Sequence, residues 1–368
     1  MKALGPTADI HMDRRAVLSL AGVLGVSALL GCSSQKQPET PATPEQSSSS
    51  TDPHMTIRAS GLDTPWSLVR TGNGNLLVSE RDTARILLLA ADGTLSTLVQ
   101  LPQVVSGGEA GLLGLEVIAG SGNQKWLYAY LSTASDNRVV RMELRDSGVG
   151  PAENILVGIP RANIHNGGRI KHGPDGLLYI ATGDATDQPA AQDIALLNGK
   201  ILRINPDGSI PASNPFPDSP VFSYGHRNVQ GLAWDSAKRL WATELGPDRD
   251  DEVNLIQPGA NYGWPQVTGA PHREGLVDAS YVWASTADAS PSGMSIIGDT
   301  AYVAALRGER LWRLELPESG SGISEPIPEA RIVLDGQGRL RDALAVSQNE
   351  VWIATNEGVD SRILSLSF

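Results

Sequence analysis

Of the residues in this 368-residue chain whose side chains can transfer a proton, His165 and Asp184 stand out as a pair. An imidazole titrates near neutral pH, and a carboxylate on one ring nitrogen fixes the tautomer in which the other accepts a proton. The pair therefore reads as a general base and its orienter, although 19 residues separate them and a lone histidine equally suits a structural role. Four arginines, Arg227, Arg307, Arg339 and Arg341, carry planar forks that fit carboxylates or phosphates. The competing reading pairs them with Asp250, Asp251 and Asp342 as structural ion pairs. The run Gly246-Pro-Asp-Arg-Asp-Asp-Glu252 is rich in carboxylates and backbone carbonyls, the hard oxygen donors that Ca²⁺ takes. It lacks EF-hand spacing, so a solvated acidic loop stays equally open.

Whether these groups meet depends on the elements that carry them. A short strand recurs as Leu76–Glu80, Leu127–Leu131, Leu178–Thr182, Leu240–Glu244, Ala301–Ala305 and Val351–Thr355, with start-to-start spacings of 51, 51, 62, 61 and 50. A second apolar run follows, as in Arg85–Leu89, Arg138–Met142, Lys200–Ile204, Arg310–Leu314 and Arg362–Leu366. Asp92-Gly93, Asp175-Gly176 and Asp207-Gly208 supply turns of the kind hairpins require. Six units of about fifty residues, each with room for four strands, predict an all-β, six-bladed β-propeller. The last unit stops one strand short at Phe368, and Thr56–Ala59 precedes the first, so the N-terminal strand is expected to close the last blade and remove an open edge. In such a ring the segment before each inner strand and the loop after each second strand face the same end. His165, Asp184, the acidic run and the arginines all fall at these two phases, which gathers them at one mouth of the channel.

Composition agrees. Twenty-nine basic against 41 acidic residues give a net charge of −12, which excludes nucleic acid as a main partner because phosphate contacts need surplus Lys and Arg. Thirty-nine glycines and 24 prolines are too many for a helical bundle and suit many short strands and turns. One cysteine rules out a disulfide framework. Residues 1–32 read as a lipoprotein signal: Arg14 and Arg15 precede an apolar run, Ala16 to Leu30, ending in Leu29-Leu30-Gly31-Cys32. Residues 33–54 are rich in Ser, Pro, Thr and Gln and read as a flexible tether, leaving 55–368 as one propeller domain. The expected location is exported, with Cys32 lipid-anchored to the outer face of a bacterial cell membrane.

Several motifs occur in one order: His165-Asn-Gly-Gly-Arg169, Asn198–Asn205, Gly225-His-Arg-Asn-Val-Gln-Gly231, Asp250-Asp-Glu-Val-Asn254, Asn261-Tyr-Gly-Trp-Pro265, Pro291-Ser-Gly-Met294 and Arg339-Leu-Arg-Asp342. Together they resemble the soluble quinoprotein sugar dehydrogenases, the glucose and sorbosone dehydrogenase family, from about Leu62 to Ile363. The resemblance implies a propeller that binds pyrroloquinoline quinone (PQQ) and Ca²⁺ at its channel mouth. It also implies oxidation of aldose sugars at the anomeric carbon to lactones, with electrons passed on to a quinone or redox protein. His165 would take the hydroxyl proton as hydride passes to the quinone, and Asp184 would orient it. Arg227, Asn228, Arg339 and Arg341 would hold the cofactor, with Arg307 where a lysine is usual and Glu109 where many relatives have glutamine. The carbonyls of Gly246 and Pro247 would ligate the cofactor Ca²⁺, and Glu252 and Tyr262 match a second, structural Ca²⁺ site. The alternatives are a Ca²⁺-dependent lactonase-like hydrolase, which would use the acidic loop and His165 without a quinone, and a propeller that serves only as a binding module.

Overall fold

The computed structural model describes residues 53–72, 74–318 and 326–368, all within one compact unit. The expected signal at 1–32, with Cys32, and nearly all of the expected tether lie outside the described residues. The first strand begins at His54, one residue inside the segment assigned to the tether.

Six antiparallel sheets follow one another in chain order. Their first strands are Pro65–Arg70, Leu112–Ala119, Ile170–His172, Val229–Trp234, Pro291–Ile297 and Leu340–Ser347. Each packs against the first strand of the next blade, and the sixth packs against the first, so the ring is closed. The second strands are the recurring motif of the sequence, and Leu76–Glu80 and Leu240–Glu244 match their expected bounds. Both are buried along their whole length, because blades cover both of their faces, which is why they read as continuous apolar and small-residue runs rather than alternating ones. Blade two carries an extra short strand, Gly148–Val149, paired with Asn137–Arg145. Among the described residues the only helical pieces are two short 3-10 turns, Gln188–Gln192 and Gly358–Asp360.

The closure expected from the ends is present. His54–Leu62 pairs antiparallel with Ser361–Ser367, His54 opposite Ser367 and Leu62 opposite Ser361. Leu62 is fully buried in a cluster with Leu68, Val78, Ala354 and Ile363, which joins blade six to blade one. Each such side chain contributes roughly 1.5–3 kcal/mol on burial.

The channel is plugged at its centre by polar groups. Arg169, 1% exposed, donates from Nη1 to Asp342 Oδ2 at 3.1 Å and to Ser67 Oγ at 3.2 Å, and from Nε to the Gln230 carbonyl at 2.9 Å. Its guanidinium lies 4.3 Å from the centre of the Trp66 ring, and Asp342 Oδ2 also accepts the Leu68 N–H at 2.8 Å. Four blades meet at this one ion pair.

A chain beginning at Asp63 is expected to expose the edge of Ser361–Ser367 and to aggregate or unfold at a markedly lower temperature, whereas one beginning at Pro53 keeps the full-length thermal midpoint. Thermal melts and size-exclusion chromatography of the two truncations check this.

Candidate active site

The segment before the third inner strand and the loop after the second strand of the same blade touch backbone to backbone. At Gly183 a Cβ would lie 2.0 Å from the His165 carbonyl oxygen, and at Gly167, with φ of +63°, it would lie 2.5 Å from the carbonyl carbon of Thr182. Only glycine permits this approach, and it sets His165 beside Asp184. His165 itself has φ of +59°, a left-handed conformation that costs a non-glycine residue roughly 1–3 kcal/mol. It is held there by Glu109 Oε2, which accepts the His165 N–H at 2.8 Å, and by the Ala185 N–H on its carbonyl at 3.0 Å.

His165 Nδ1 lies 2.8 Å from Asp184 Oδ1. Asp184 is fully buried and accepts three bonds: Oδ1 also takes the Thr186 N–H at 2.8 Å, and Oδ2 takes the Trp264 indole N–H at 2.9 Å. An acceptor so placed assigns the proton to Nδ1 and the lone pair to Nε2. No described residue bonds Nε2, and the imidazole keeps 11% of its surface exposed. The dyad expected from the sequence is therefore assembled, with its free nitrogen open.

Glu109, which accepts the His165 N–H, also lines a cavity of about 250 Å³ whose other walls include Trp66, Arg81, Gln230, Arg307, Arg339 and Arg341; His165 and Asp184 are not among its lining residues. Arg341 is almost completely buried. Its Nη1 donates to Gln230 Oε1 at 2.8 Å and to Ser292 Oγ at 3.3 Å, while Nε is buried with no partner. Burial, and then the neighbouring Arg81, Arg339 and Arg169, push its pKa down to about 9 against the pull of Glu109. Arg307 is exposed and donates to Thr286 Oγ1 at 2.8 Å. Arg227 stands to one side, outside this lining. Its Nη1 donates to the Leu245 carbonyl at 3.0 Å, its Nε is buried and unpartnered, and its guanidinium lies 5.5 Å from the centre of the Trp264 ring. Burial lowers its pKa, and Asp184 and Glu244 oppose the shift.

None of the four arginines forms an ion pair among the described residues. Asp342 pairs with Arg169 and Asp250 with Arg249, while both oxygens of Asp251 accept backbone N–H groups, from Gly246 at 2.9 Å and Ser290 at 2.7 Å. The structural ion-pair reading of the cluster is thereby excluded. A buried, incompletely bonded Arg341 together with the more exposed Arg307 and Arg339 around one cavity fits a ligand with several anionic oxygens. Asn228 does not line that cavity. It is fully buried, with Oδ1 on the Gly167 N–H at 3.0 Å and Nδ2 on Glu109 Oε2 at 3.3 Å, so it braces the loop beneath the site. Glu109 ties the two halves together by accepting from both His165 and Asn228 while lining the cavity.

The acidic run expected as one loop ends at Asp250, because Asp251 and Glu252 open the strand Asp251–Ile256. Among the described residues no group of three or more His, Cys, Asp or Glu side chains forms a metal cluster, so any cation here takes at most two carboxylates and needs carbonyl donors besides. The Gly246 and Pro247 carbonyls accept no hydrogen bond from a described residue, which suits a hard cation. A second, smaller cavity of about 10 Å³ lies between Arg227, Glu244, Gly246, Glu252, Tyr262 and Trp264, room for about one small ion. Burial, and then Glu244, raise the Glu252 pKa well above the usual carboxylate range. Nearby, Asn254 donates Nδ2 to Glu252 at 3.0 Å and leaves its own Oδ1 buried without a donor. The Tyr262 hydroxyl donates to the Leu255 carbonyl at 2.6 Å, so Tyr262 has only its carbonyl to offer. Arg227 also lines this gap, and both Glu252 oxygens accept, Oε2 from Asn254 and Oε1 from the Gly269 N–H at 2.6 Å, so a Ca²⁺ held between Glu244 and Glu252 would replace these donors.

The Glucose / Sorbosone dehydrogenase family matches residues 62–364. The chain belongs to that family. It is similar to the PQQ-bound form of an aldose sugar dehydrogenase from Streptomyces coelicolor, with 42% identity and a TM-score of 0.80 over 86% of this chain and 98% of that one. It is 30% identical to the quinoprotein glucose dehydrogenase B of Acinetobacter calcoaceticus, over 66% of this chain and 59% of the relative. It is also 28% identical to the aldose sugar dehydrogenase YliI of Escherichia coli, over 80% and 88%. In this member of the Glucose / Sorbosone dehydrogenase family, sequence reasoning missed Arg81, Trp66, Gln230 and Trp264 as site residues. Arg81 directly follows the second strand of blade one, the same phase as Asp184, so that signal was present. Trp264 lies in a long connection that no repeat phase locates.

Two outcomes follow for the cofactor-free protein. Arg341→Met, which removes a buried and partly unbonded cation, is expected to raise stability by about 1–2 kcal/mol in urea unfolding. Glu252 binds a proton in the folded state that the unfolded chain releases in the ordinary carboxylate range, so stability from this group falls as pH rises toward its folded pKa. Ca²⁺ displaces that proton, so the gain in thermal midpoint on adding Ca²⁺ should grow as pH is raised from 6 to 8, and should be lost in Glu252→Gln.

Proposed function

We propose that the chain is a PQQ-dependent dehydrogenase that oxidises aldose sugars at the anomeric carbon to lactones. The observation that carries this reading is an open proton-accepting nitrogen, His165 Nε2, linked through Glu109 to a cavity whose Arg307, Arg339 and Arg341 form no ion pair among the described residues. Family membership and similarity to a PQQ-bound aldose sugar dehydrogenase support it. Arg339, Arg341 and Arg307 would hold the anionic oxygens of the cofactor in the cavity and Arg227 those at its side, while Arg81, paired with Asp82, adds a further cation to the wall. The Gly246 and Pro247 carbonyls would hold the catalytic Ca²⁺, and Glu252, with Glu244 and the Tyr262 carbonyl, a structural one.

When bound, PQQ supplies a two-electron acceptor and Ca²⁺ a Lewis acid that polarises it. His165 Nε2 takes the proton of the anomeric hydroxyl, and Asp184 stabilises the resulting imidazolium and keeps Nδ1 protonated throughout. Glu109 fixes the backbone of His165, so the base stays aimed while its charge changes. The electrons then pass to an external quinone or redox protein. Residues 1–32 support an exported, lipid-anchored enzyme, which labelling of Cys32 by a radioactive fatty acid in cells would test.

The hydrolase alternative has one attractive feature, a buried chain of Ser223 Oγ, His226 Nε2 and Nδ1, and Glu244 Oε2 with both links at 2.9 Å. Ser223 and His226 are fully buried, and His226 stacks on Tyr262 at 4.7 Å, so no substrate reaches them. A neutral lactone also leaves the arginines without a partner.

Reconstitution with PQQ and Ca²⁺ is expected to give aldose-dependent reduction of a redox dye, and the absence of both turnover and retained cofactor after gel filtration would sink the reading. His165→Gln should lower kcat by about 10²–10⁴-fold while PQQ still binds.

A further inference from the structure

Trp264 touches the dyad with its edge and the Arg227 guanidinium with its face. Its edge donates the indole N–H to Asp184 Oδ2 at 2.9 Å, the carboxylate oxygen that His165 does not use. Its face carries the Arg227 guanidinium at 5.5 Å, the cation with a buried, unpartnered Nε. The ring is 8% exposed and is fixed from its backbone: the Trp264 N–H donates to the Gly225 carbonyl at 2.9 Å, and its carbonyl accepts from Gln192 Nε2 at 2.6 Å. Gln192 also exchanges two bonds with the Asn261 amide, at 3.0 and 2.8 Å. The turn that carries Gln192 is pinned in turn by the buried Lys200 ammonium, which donates to the carbonyls of Ala190, Ala191 and Asn198.

We propose that Trp264 is a positioning residue that locks the Asp184 carboxylate, and through it His165, in register with the anion-holding Arg227. A carboxylate with one oxygen free can rotate about its Cβ–Cγ bond and accept from His165 through either oxygen. With the indole on Oδ2 and the Thr186 N–H and His165 on Oδ1, any tilt of the carboxylate plane breaks at least one of the three bonds, and a half-turn only exchanges two equivalent oxygens. The charged groups facing the dyad are Glu109, at the His165 backbone N–H, and Arg227, across the indole. Asp184 already accepts three hydrogen bonds and forms no ion pair with Arg227, whose guanidinium lies over the indole face instead and is drawn to Asp184 only at longer range. The assignment rests on the reading of His165 as the base.

The test compares Trp264→Phe, which keeps a ring face and loses the N–H, with Trp264→Leu, which loses both. In Trp264→Phe the His165 Nδ1–H proton is expected to exchange with solvent at least about tenfold faster by NMR, and kcat to fall by roughly ten- to a hundredfold. The aldose KM and the PQQ affinity, followed by fluorescence titration, stay within about twofold of wild type, as expected where the binding contacts are untouched. Trp264→Leu should in addition weaken PQQ binding. Unchanged Nδ1–H exchange and kcat in Trp264→Phe would overturn the proposal. Should neither variant fold, solvent exchange in the unmodified protein decides: the Trp264 indole N–H must be protected alongside the His165 Nδ1–H, and rapid exchange of the indole proton refutes it. Because proton exchange is read without cofactor or substrate, its outcome stands even if His165→Gln proves that another group is the base.

Discussion

The ion pair between Arg169 and Asp342 is the constraint on which the rest of this propeller depends. Six blades packed face to face leave an axis that side chains must fill, and here a buried guanidinium does so, bonded to blade one through Ser67, to blade four through the Gln230 carbonyl and to blade six through Asp342. A buried pair of this kind adds little to stability relative to apolar packing, yet losing one partner costs about 3–5 kcal/mol because the other is left charged in low dielectric. It therefore specifies the alignment of four blades rather than simply strengthening them. Arg169 ends the same pentapeptide that begins with His165, so the axis of the ring and the base of the site are set by one short segment.

The pairing has an electrostatic consequence one residue away. Asp342 is the nearest carboxylate in sequence to Arg341, and its engagement by Arg169 leaves Arg341 without an ion-pair partner, with an unbonded Nε and a depressed pKa. Arg307 and Arg339 line the same cavity without ion-pair partners among the described residues, and Arg81 lines it paired with Asp82. The resting protein thus carries a repulsion that an anionic ligand relieves, which is how binding energy is stored in a preorganised site. Glu109 moderates it. As a carboxylate on the cavity wall it offsets part of the positive field, and its bonds to the His165 N–H and Asn228 give it a mechanical task that fixes its position regardless of what occupies the cavity.

Much of this was legible from the sequence because the repeat encodes it. The strand phase sufficed to place His165 and Asp184 at one end, and the missing outer strand of the last repeat announced the N-terminal closure. What the phase could not give was which oxygen meets which nitrogen. The pairing of Asp342 with Arg169 instead of Arg341, the burial of Asn228 under Glu109, and the entry of Asp251 and Glu252 into a strand all depend on side-chain geometry within a few ångströms. Trp264 was out of reach for a different reason: it lies between Ile256 and Tyr281, a span with no strand of its own, where no periodic signal says which way a ring points.

That long connection shows how the site divides its labour. The ring of blades fixes backbone positions, and the dyad and the arginine cavity arise wherever the phase brings loops together. Orientation is a separate requirement, met by non-repeating segments that lay over the mouth and supply the last donors. Lys200 is the clearest case, a cation buried within blade three whose pKa burial lowers to about 8. It bonds to three backbone carbonyls, and its contribution is to hold the turn that holds Gln192 against Trp264. A buried ammonium serving only backbone carbonyls would be a poor choice for stability alone. It is intelligible where the ordering of one turn decides whether Asp184 presents its carboxylate to His165 in a single orientation.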